Sequence, residues 1–257
     1  MIIVLAGTSD ARGLALRIQQ NGYRVLTTVV TDNAAEEMKA AGLDVHVGRL
    51  SDVELAQLIR SKNVQAVVDA SHPFAEEASK NAMSAAKQVN VPYIRYERES
   101  QSFEYEKLIV VDSYEEAARL AMEKRGVIML TTGSKTLHIF AEKLLNLPNT
   151  RLIARMLPRK DNMEKCEQLH FPQKNIVAMQ GPFSKELDKA LFKHFGVTLL
   201  ITKESGKAGF VDEKVEAAME LGIETIVINR PRLDYGIVYS TFSEVISALN
   251  QLVSIKS

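Results

Sequence analysis

Short runs rich in Val, Ile and Leu recur along this chain, each passing through a few small or polar residues into a helix-forming stretch. That alternation constrains the fold more than any single motif, because βα repeats of this kind assemble into parallel sheets with helices packed on them. Strands are expected at about residues 2–6, 24–30, 44–48, 64–69 and 92–95, and each of the first four leads into a helical pattern. Asp32 or Asn33, and then Ser51, open two of these helices as N-caps, and Glu54 three residues after Ser51 completes a capping box. Residues 96–107, YERESQSFEYEK, are polar and lack helical periodicity, so they read as a connection. A second alternation follows, with strands near 108–111, 127–131, 151–155, 175–179, 197–201 and 224–228.

The simplest arrangement is α/β, with two Rossmann-like parallel-sheet domains, 1–98 and 99–257, facing a central cleft. At 257 residues the chain is long enough for this. Its 32 basic and 32 acidic side chains balance, so no global field favours nucleic acid or an anionic membrane. No apolar stretch approaches the roughly 18–20 residues of a membrane span. The opening Met1-Ile2-Ile3-Val4-Leu5 reads as a buried strand and not as a signal peptide. Cys166 is the single cysteine, which excludes an internal disulfide framework and agrees with a reducing cytoplasm.

In an open parallel sheet, ligands bind outside the carboxyl ends of the strands, so the turns there carry the chemistry. Ala6-Gly7-Thr8-Ser9-Asp10 joins the first strand to a helix reaching about Gln20. A glycine and small hydroxyl residues at a helix N-terminus favour a phosphate, although Gly7 and Gly13 do not make the G-x-G-x-x-G fingerprint. Asp32 stands near the end of the second strand, where an acidic residue takes ribose hydroxyls and leans the reading toward NADH. Asp69-Ala70-Ser71-His72-Pro73-Phe74-Ala75 lies where a buried strand ends, with Ser71 or His72 near the N-cap of the next helix and Pro73 in its first turn.

In the second half, Thr131-Thr132-Gly133-Ser134-Lys135 is an anion-cradling turn without the spacing of a nucleotidase loop. Arg155 to Lys160, Gln180 to Ser184 and Thr202 to Phe210 follow similar strands. All lie at one rim of one sheet, so Lys135, Arg155, Arg159, Lys160, Lys203 and Lys207 form a cationic bowl suited to a guest with several carboxylates or phosphates. Arg95 and Arg98 leave the last strand of the first half, either to add to that bowl or to pair with Glu97 and Glu99. The histidines lack metal-ligand spacing, so no metal is expected.

Taken together and in this order, A-G-T-S-D at 6–10, D-A-S-H-P-F-A at 69–75, R-Y-E-R at 95–98, T-T-G-S-K at 131–135, G-P-F at 181–183 and T-K-E-S-G-K-A-G-F at 202–210 resemble the precorrin-6A reductase family of corrin biosynthesis, in its aerobic and its cobalt-containing anaerobic branches. The resemblance covers nearly the whole chain; Ala6 and Asp10 depart from that family's usual G-G-T-x-E. It implies a coenzyme domain and a tetrapyrrole domain, an edge strand exchanged between the sheets, and transfer of a hydride from NADH or NADPH to C19 of the macrocycle while C18 is protonated. Under it, Gly7, Thr8 and Ser9 hold the pyrophosphate and Ser71, His72, Pro73 and Phe74 flank the nicotinamide. Arg95, Arg98, Lys135, Arg155, Lys203 and Lys207 hold carboxylates of the tetrapyrrole. His72 is a candidate proton donor, beside a bound water or a substrate carboxyl. Neighbouring corrin-pathway enzymes are the protein partners it suggests.

Two other classes share parts of the pattern. A short-chain reductase or epimerase needs a Tyr-x-x-x-Lys pair, and no tyrosine here has a lysine four residues on. A two-lobed binding protein usually carries an export signal or a DNA-binding head, and neither is expected from this sequence.

Overall fold

The computed structural model describes residues 1–98, 105–204 and 213–253. The chain divides into two compact units, one of residues 1–99 with 231–257 and the other of residues 100–230.

Unit 1 is organised by β1 (Ile2–Leu5), whose four side chains are all buried. Successive side chains of a strand point to opposite faces. Ile2 and Val4 accordingly join a cluster with Leu14 and Ile18 of α1 (Ser9–Gln20), and Ile3 and Leu5 join another with Leu55 and Ile59 of α3 (Asp52–Ser61) and Ala82 and Ala85 of α4 (Glu76–Val89). Burial on both faces is what makes such strands unbroken apolar runs in the sequence. Across the sheet the order is β3 (Asp44–Val47), β2 (Val25–Val29), β1, β4 (Ala66–Asp69), β5 (Tyr93–Tyr96) and β12 (Val238–Tyr239), all parallel.

Unit 2 repeats this order with its own strands: β9 (Ile176–Ala178), β8 (Thr150–Met156), β7 (Gly126–Leu130), β10 (Leu199–Lys203), β11 (Glu224–Ile228) and β6 (Leu108–Val111), again all parallel. Its helices are α5 (Tyr114–Lys124), α6 (Leu137–Leu144), α7 (Lys160–Gln168), α8 (Lys185–Phe195) and α9 (Glu213–Glu220). The strand order reverses direction between β1 and β4 in unit 1 and between β7 and β10 in unit 2. Those two switch points are where an open parallel sheet leaves a crevice.

The sixth place in each sheet is exchanged. β6 follows β5 in the chain but lies beside β11, and β12 follows β11 but lies beside β5. The second domain expected to run to residue 257 therefore ends at Arg230, and residues 231–257 belong to unit 1. The cause is burial: α10 (Phe242–Leu252) places Val245, Ala248 and Leu249 in the unit 1 cluster of Ile2 and Val4. Each large apolar side chain so covered contributes about 1.5–3 kcal/mol.

Local corrections are few. α2 (Asp32–Ala40) is capped by Thr31, whose Oγ1 accepts the Ala34 N–H at 3.3 Å, so Asp32 is the first helical residue and neither it nor Asn33 is the cap. The Ser51–Glu54 capping box is present. Helix α4 begins at Glu76 behind Ala75, leaving Pro73 outside its first turn and neither Ser71 nor His72 at the cap. Among the described residues, no helix is long and apolar enough to cross a membrane.

Candidate active site

At the unit 1 switch point, β1 ends in a loop where Gly7 has φ +137°, a backbone conformation that favours glycine. Thr8 caps α1, its Oγ1 accepting the Ala11 N–H at 3.2 Å, and Ser9 opens the helix. The first turn of a helix leaves N–H groups without intrahelical partners and carries the positive end of the dipole. Asp10 in that turn is ion-paired with Arg98, which neutralises the one acidic charge there. Asp32 is exposed in the first turn of α2, beyond the end of β2.

The neighbouring strand β4 ends in Asp69, which is fully buried. Its carboxylate accepts the Ser71 N–H at 2.9 Å and the Tyr93 hydroxyl at 2.7 Å, and it pairs with Arg95 at 3.0 Å. Burial, reinforced by the Asp69 charge, raises the Tyr93 hydroxyl far above the ordinary phenol range, so Tyr93 is a fixed donor. Burial opposes the Arg95 charge, but Asp69 and Glu97 outweigh it and hold that guanidinium protonated. Beyond Asp69 the loop is tied to itself: the Phe74 N–H donates to His72 Nδ1 at 3.2 Å and the Ala75 N–H to the His72 carbonyl at 2.7 Å. His72 is exposed, Ser71 is buried, and Pro73 and Phe74 are half-buried.

At the unit 2 switch point, the Thr131 N–H and hydroxyl both donate to the Ile201 carbonyl, tying the end of β7 to β10. Gly133 takes φ +82° in the turn that follows, and Ser134 donates to Asn162 at 2.5 Å. Lys135 is exposed on this turn, and the Thr132 and Thr136 hydroxyls are buried without a hydrogen-bond partner. Lys203 closes β10, where burial first and then the charges of Lys214 and Lys135 push its ammonium down to about 8. Three lysines thus gather at this point, and Glu204 beside them is paired with Arg230 at 3.2 Å.

Two expected substrate arginines are not open on a rim. Arg95 is 0% exposed between Asp69 and Glu97, with its guanidinium 4.9 Å from the Tyr235 ring centroid. Arg155 is 7% exposed, ion-paired with Asp188 of α8 and 4.1 Å from the Phe183 ring centroid. In each case an aspartate from another element meets the charge, and both arginines are bonded inside their own unit. Arg159 and Lys160 are exposed and pair with Asp161 and Glu164. Lys207 lies outside the described residues. Lys214, Asn162 and Tyr235 were not singled out from the sequence, and only Lys214 carried a signal, as a cation in the first turn of the helix after β10.

Residues 1–251 match the family model described as precorrin-6x reductase CbiJ/CobK. The chain belongs to that family. A cobalt-precorrin-6A reductase of Priestia megaterium is 62% identical over 249 residues, covering 97% of this chain and 98% of that protein. A precorrin-6A reductase of Rhodococcus erythropolis is 29% identical over 234 residues, 90% of each chain. The solved structure described as CobK precorrin-6A reductase superposes with a TM-score of 0.78 at 23% identity, covering 98% of this chain and 97% of that one, and shows the same fold. The family is one of reductases, and the α/β class expected from the sequence holds for both units.

Proposed function

We propose that this chain reduces cobalt-precorrin-6A, or its cobalt-free counterpart precorrin-6A, to the 6B form with NADH or NADPH. The observation that carries the reading is the contrast of the two switch points in a chain of this family. One is a glycine-and-hydroxyl loop at a helix N-terminus, and the other gathers Lys135, Lys203 and Lys214. Precorrin-6A bears many acetate and propionate groups, which point-charge lysines suit.

The residues at the first switch point fit a dinucleotide. A side chain built on Gly7 would meet nothing within 4 Å, so the space before that backbone is open. The first-turn N–H groups of α1 and the hydroxyls of Thr8 and Ser9 hold the pyrophosphate, with Asp10 already neutralised by Arg98. Asp32 takes the ribose, and Ser71, His72, Pro73 and Phe74 flank the nicotinamide. The bound coenzyme supplies the hydride, and the macrocycle gains it at C19 with a proton at C18. The protein's task is to hold donor and acceptor in register. Lys135 and Lys203 hold carboxylates, joined by Lys214 and by Lys207 from the connection between β10 and α9. In this reading His72 delivers the proton. Accepting from Phe74 requires Nδ1 to be unprotonated, so the imidazolium that delivers the proton lacks that bond and regains it when Nδ1 is again unprotonated.

The test incubates the protein with each tetrapyrrole and each coenzyme and follows loss of the nicotinamide absorbance. Loss is expected with at least one pairing. No loss with any of the four overturns the reading.

A further inference from the structure

Arg95 is by volume the largest fully buried side chain among the described residues. A buried guanidinium is costly to desolvate, and well-packed apolar residues in its place are often neutral or better for stability. Stability alone therefore gives little reason for its presence at the end of β5.

Its bonds point instead toward the loop after β4. Arg95 Nη1 lies 3.0 Å from Asp69 Oδ1 and donates to Ser71 Oγ at 3.3 Å, while the same Asp69 oxygen accepts the Ser71 N–H at 2.9 Å. Ser71 is thus held at both its backbone and its hydroxyl. Because that hydroxyl accepts from Arg95, it keeps its own proton to donate. The guanidinium is fixed in turn from two other directions. Nε meets Glu97 Oε2 at 3.2 Å, and the ring of Tyr235 covers one face at 4.9 Å. Tyr235 belongs to the segment that returns to unit 1 after Arg230, and that segment is pinned where the Arg95 N–H donates to the Ile237 carbonyl at 2.9 Å.

We propose that Arg95 is a positioning residue for the coenzyme loop, acting through Ser71, and that Tyr235 of the return segment holds Arg95 in register. The exchanged edge of the unit 1 sheet is then part of the coenzyme site's geometry as well as of its packing. This inference rests on the reading that Ser71 to Phe74 flank the nicotinamide.

The experiment is titration with NADH and with NADPH, followed by nicotinamide fluorescence, on Ser71→Ala, Tyr235→Leu, Arg95→Lys and the double variant Ser71→Ala/Tyr235→Leu. Circular dichroism at the assay temperature selects variants that are folded; Arg95→Lys keeps the charge should Tyr235→Leu fail to fold. Each single variant is expected to raise the coenzyme Kd about tenfold, a loss of about 1.4 kcal/mol. Tetrapyrrole Kd stays within about twofold, and the double variant is no worse than Ser71→Ala, because both changes act through one hydroxyl. A purely structural role would lower the melting temperature without this non-additivity. If Ser71→Ala binds coenzyme as the wild type does, the loop reading fails and takes the inference with it. If Ser71→Ala weakens binding but folded Tyr235→Leu and Arg95→Lys do not, or if the double variant is additive, the inference alone is overturned.

Discussion

The two units share one strand order and differ in what stands at the reversal. In unit 1 the charges near the switch point are cancelled within the unit: Asp10 meets Arg98, and Asp69 meets Arg95. In unit 2 burial, and then the nearby charges of Lys214 and Lys135, depress the Lys203 pKa, and the adjacent Glu204 is engaged by Arg230. The sheet supplies the crevice in both cases, and the side chains at the strand ends decide the guest. A neutral, backbone-rich end suits a pyrophosphate at a helix N-terminus, whereas an end that gathers three lysines suits a polyacid. Buried arginines belong to neither description. Arg95 and Arg155 have similar surroundings in the two units, each meeting an aspartate and an aromatic ring.

The contrast can be broken most forcefully at Arg155. Arg155→Ala takes its ion-pair partner from the buried Asp188, so a loss of about 3–5 kcal/mol in denaturant unfolding is expected. Tetrapyrrole KM in the folded fraction should change little. A large KM effect without loss of stability would return Arg155 to the substrate site. Next in size, Lys135→Ala combined with Lys203→Ala should raise the tetrapyrrole KM by at least about 100-fold, since each of the two charge-assisted bonds contributes about 1.5–3 kcal/mol. Coenzyme KM should hold, and steady-state kinetics with each reactant varied would show a breach of the division if both rise together.

A pH series sharpens the same point. Burial first, and then the charges of Lys214 and Lys135, push the Lys203 ammonium down to about 8 from its ordinary 10.5. It is charged below that pH, so tetrapyrrole affinity should be flat there and fall as pH rises above it, where binding must first take up a proton. Stability has the opposite sign. Between about 8 and 10.5 the unfolded chain holds the proton that the folded one has lost, so Lys203 contributes a gain in stability as pH rises. Lys203→Arg should flatten both profiles; an unchanged affinity profile would exclude Lys203 from the site.

The smallest effect compares two helix caps. Thr8 caps α1 and Ser113 caps α5 with the same bond geometry. Thr8→Ala and Ser113→Ala should each cost about 1 kcal/mol, but only Thr8→Ala should also raise the coenzyme KM. Equal kinetics for the two would detach the α1 turn from the coenzyme.

The first eleven strands were legible because most are apolar runs bounded by turn residues, and the Ser51 cap because its partner lies three residues away. What the sequence hid depends on distance. β12 is two residues long, and the whole of unit 2 separates it in the chain from its partner β5. An exposed arginine and a buried one look alike when the deciding carboxylate lies far off in sequence, as Asp69 does for Arg95 and Asp188 for Arg155. Lys135 and Lys203 were legible as rim cations, while the fall in the Lys203 pKa comes first from burial and then from Lys214 and Lys135, none of which a local stretch reveals. Helix α4 starts late because the loop before it forms its own turn around His72.

The exchange of β6 and β12 also dictates an order of assembly during synthesis. Unit 2 is one continuous stretch and can close as soon as Arg230 has emerged. Unit 1 is begun first and finished last, because Ile94 and Tyr96 lack the cover of α10 until the ribosome has made the whole of unit 2. The early half must wait with part of its apolar face bare, which is the condition that favours aggregation in newly made chains.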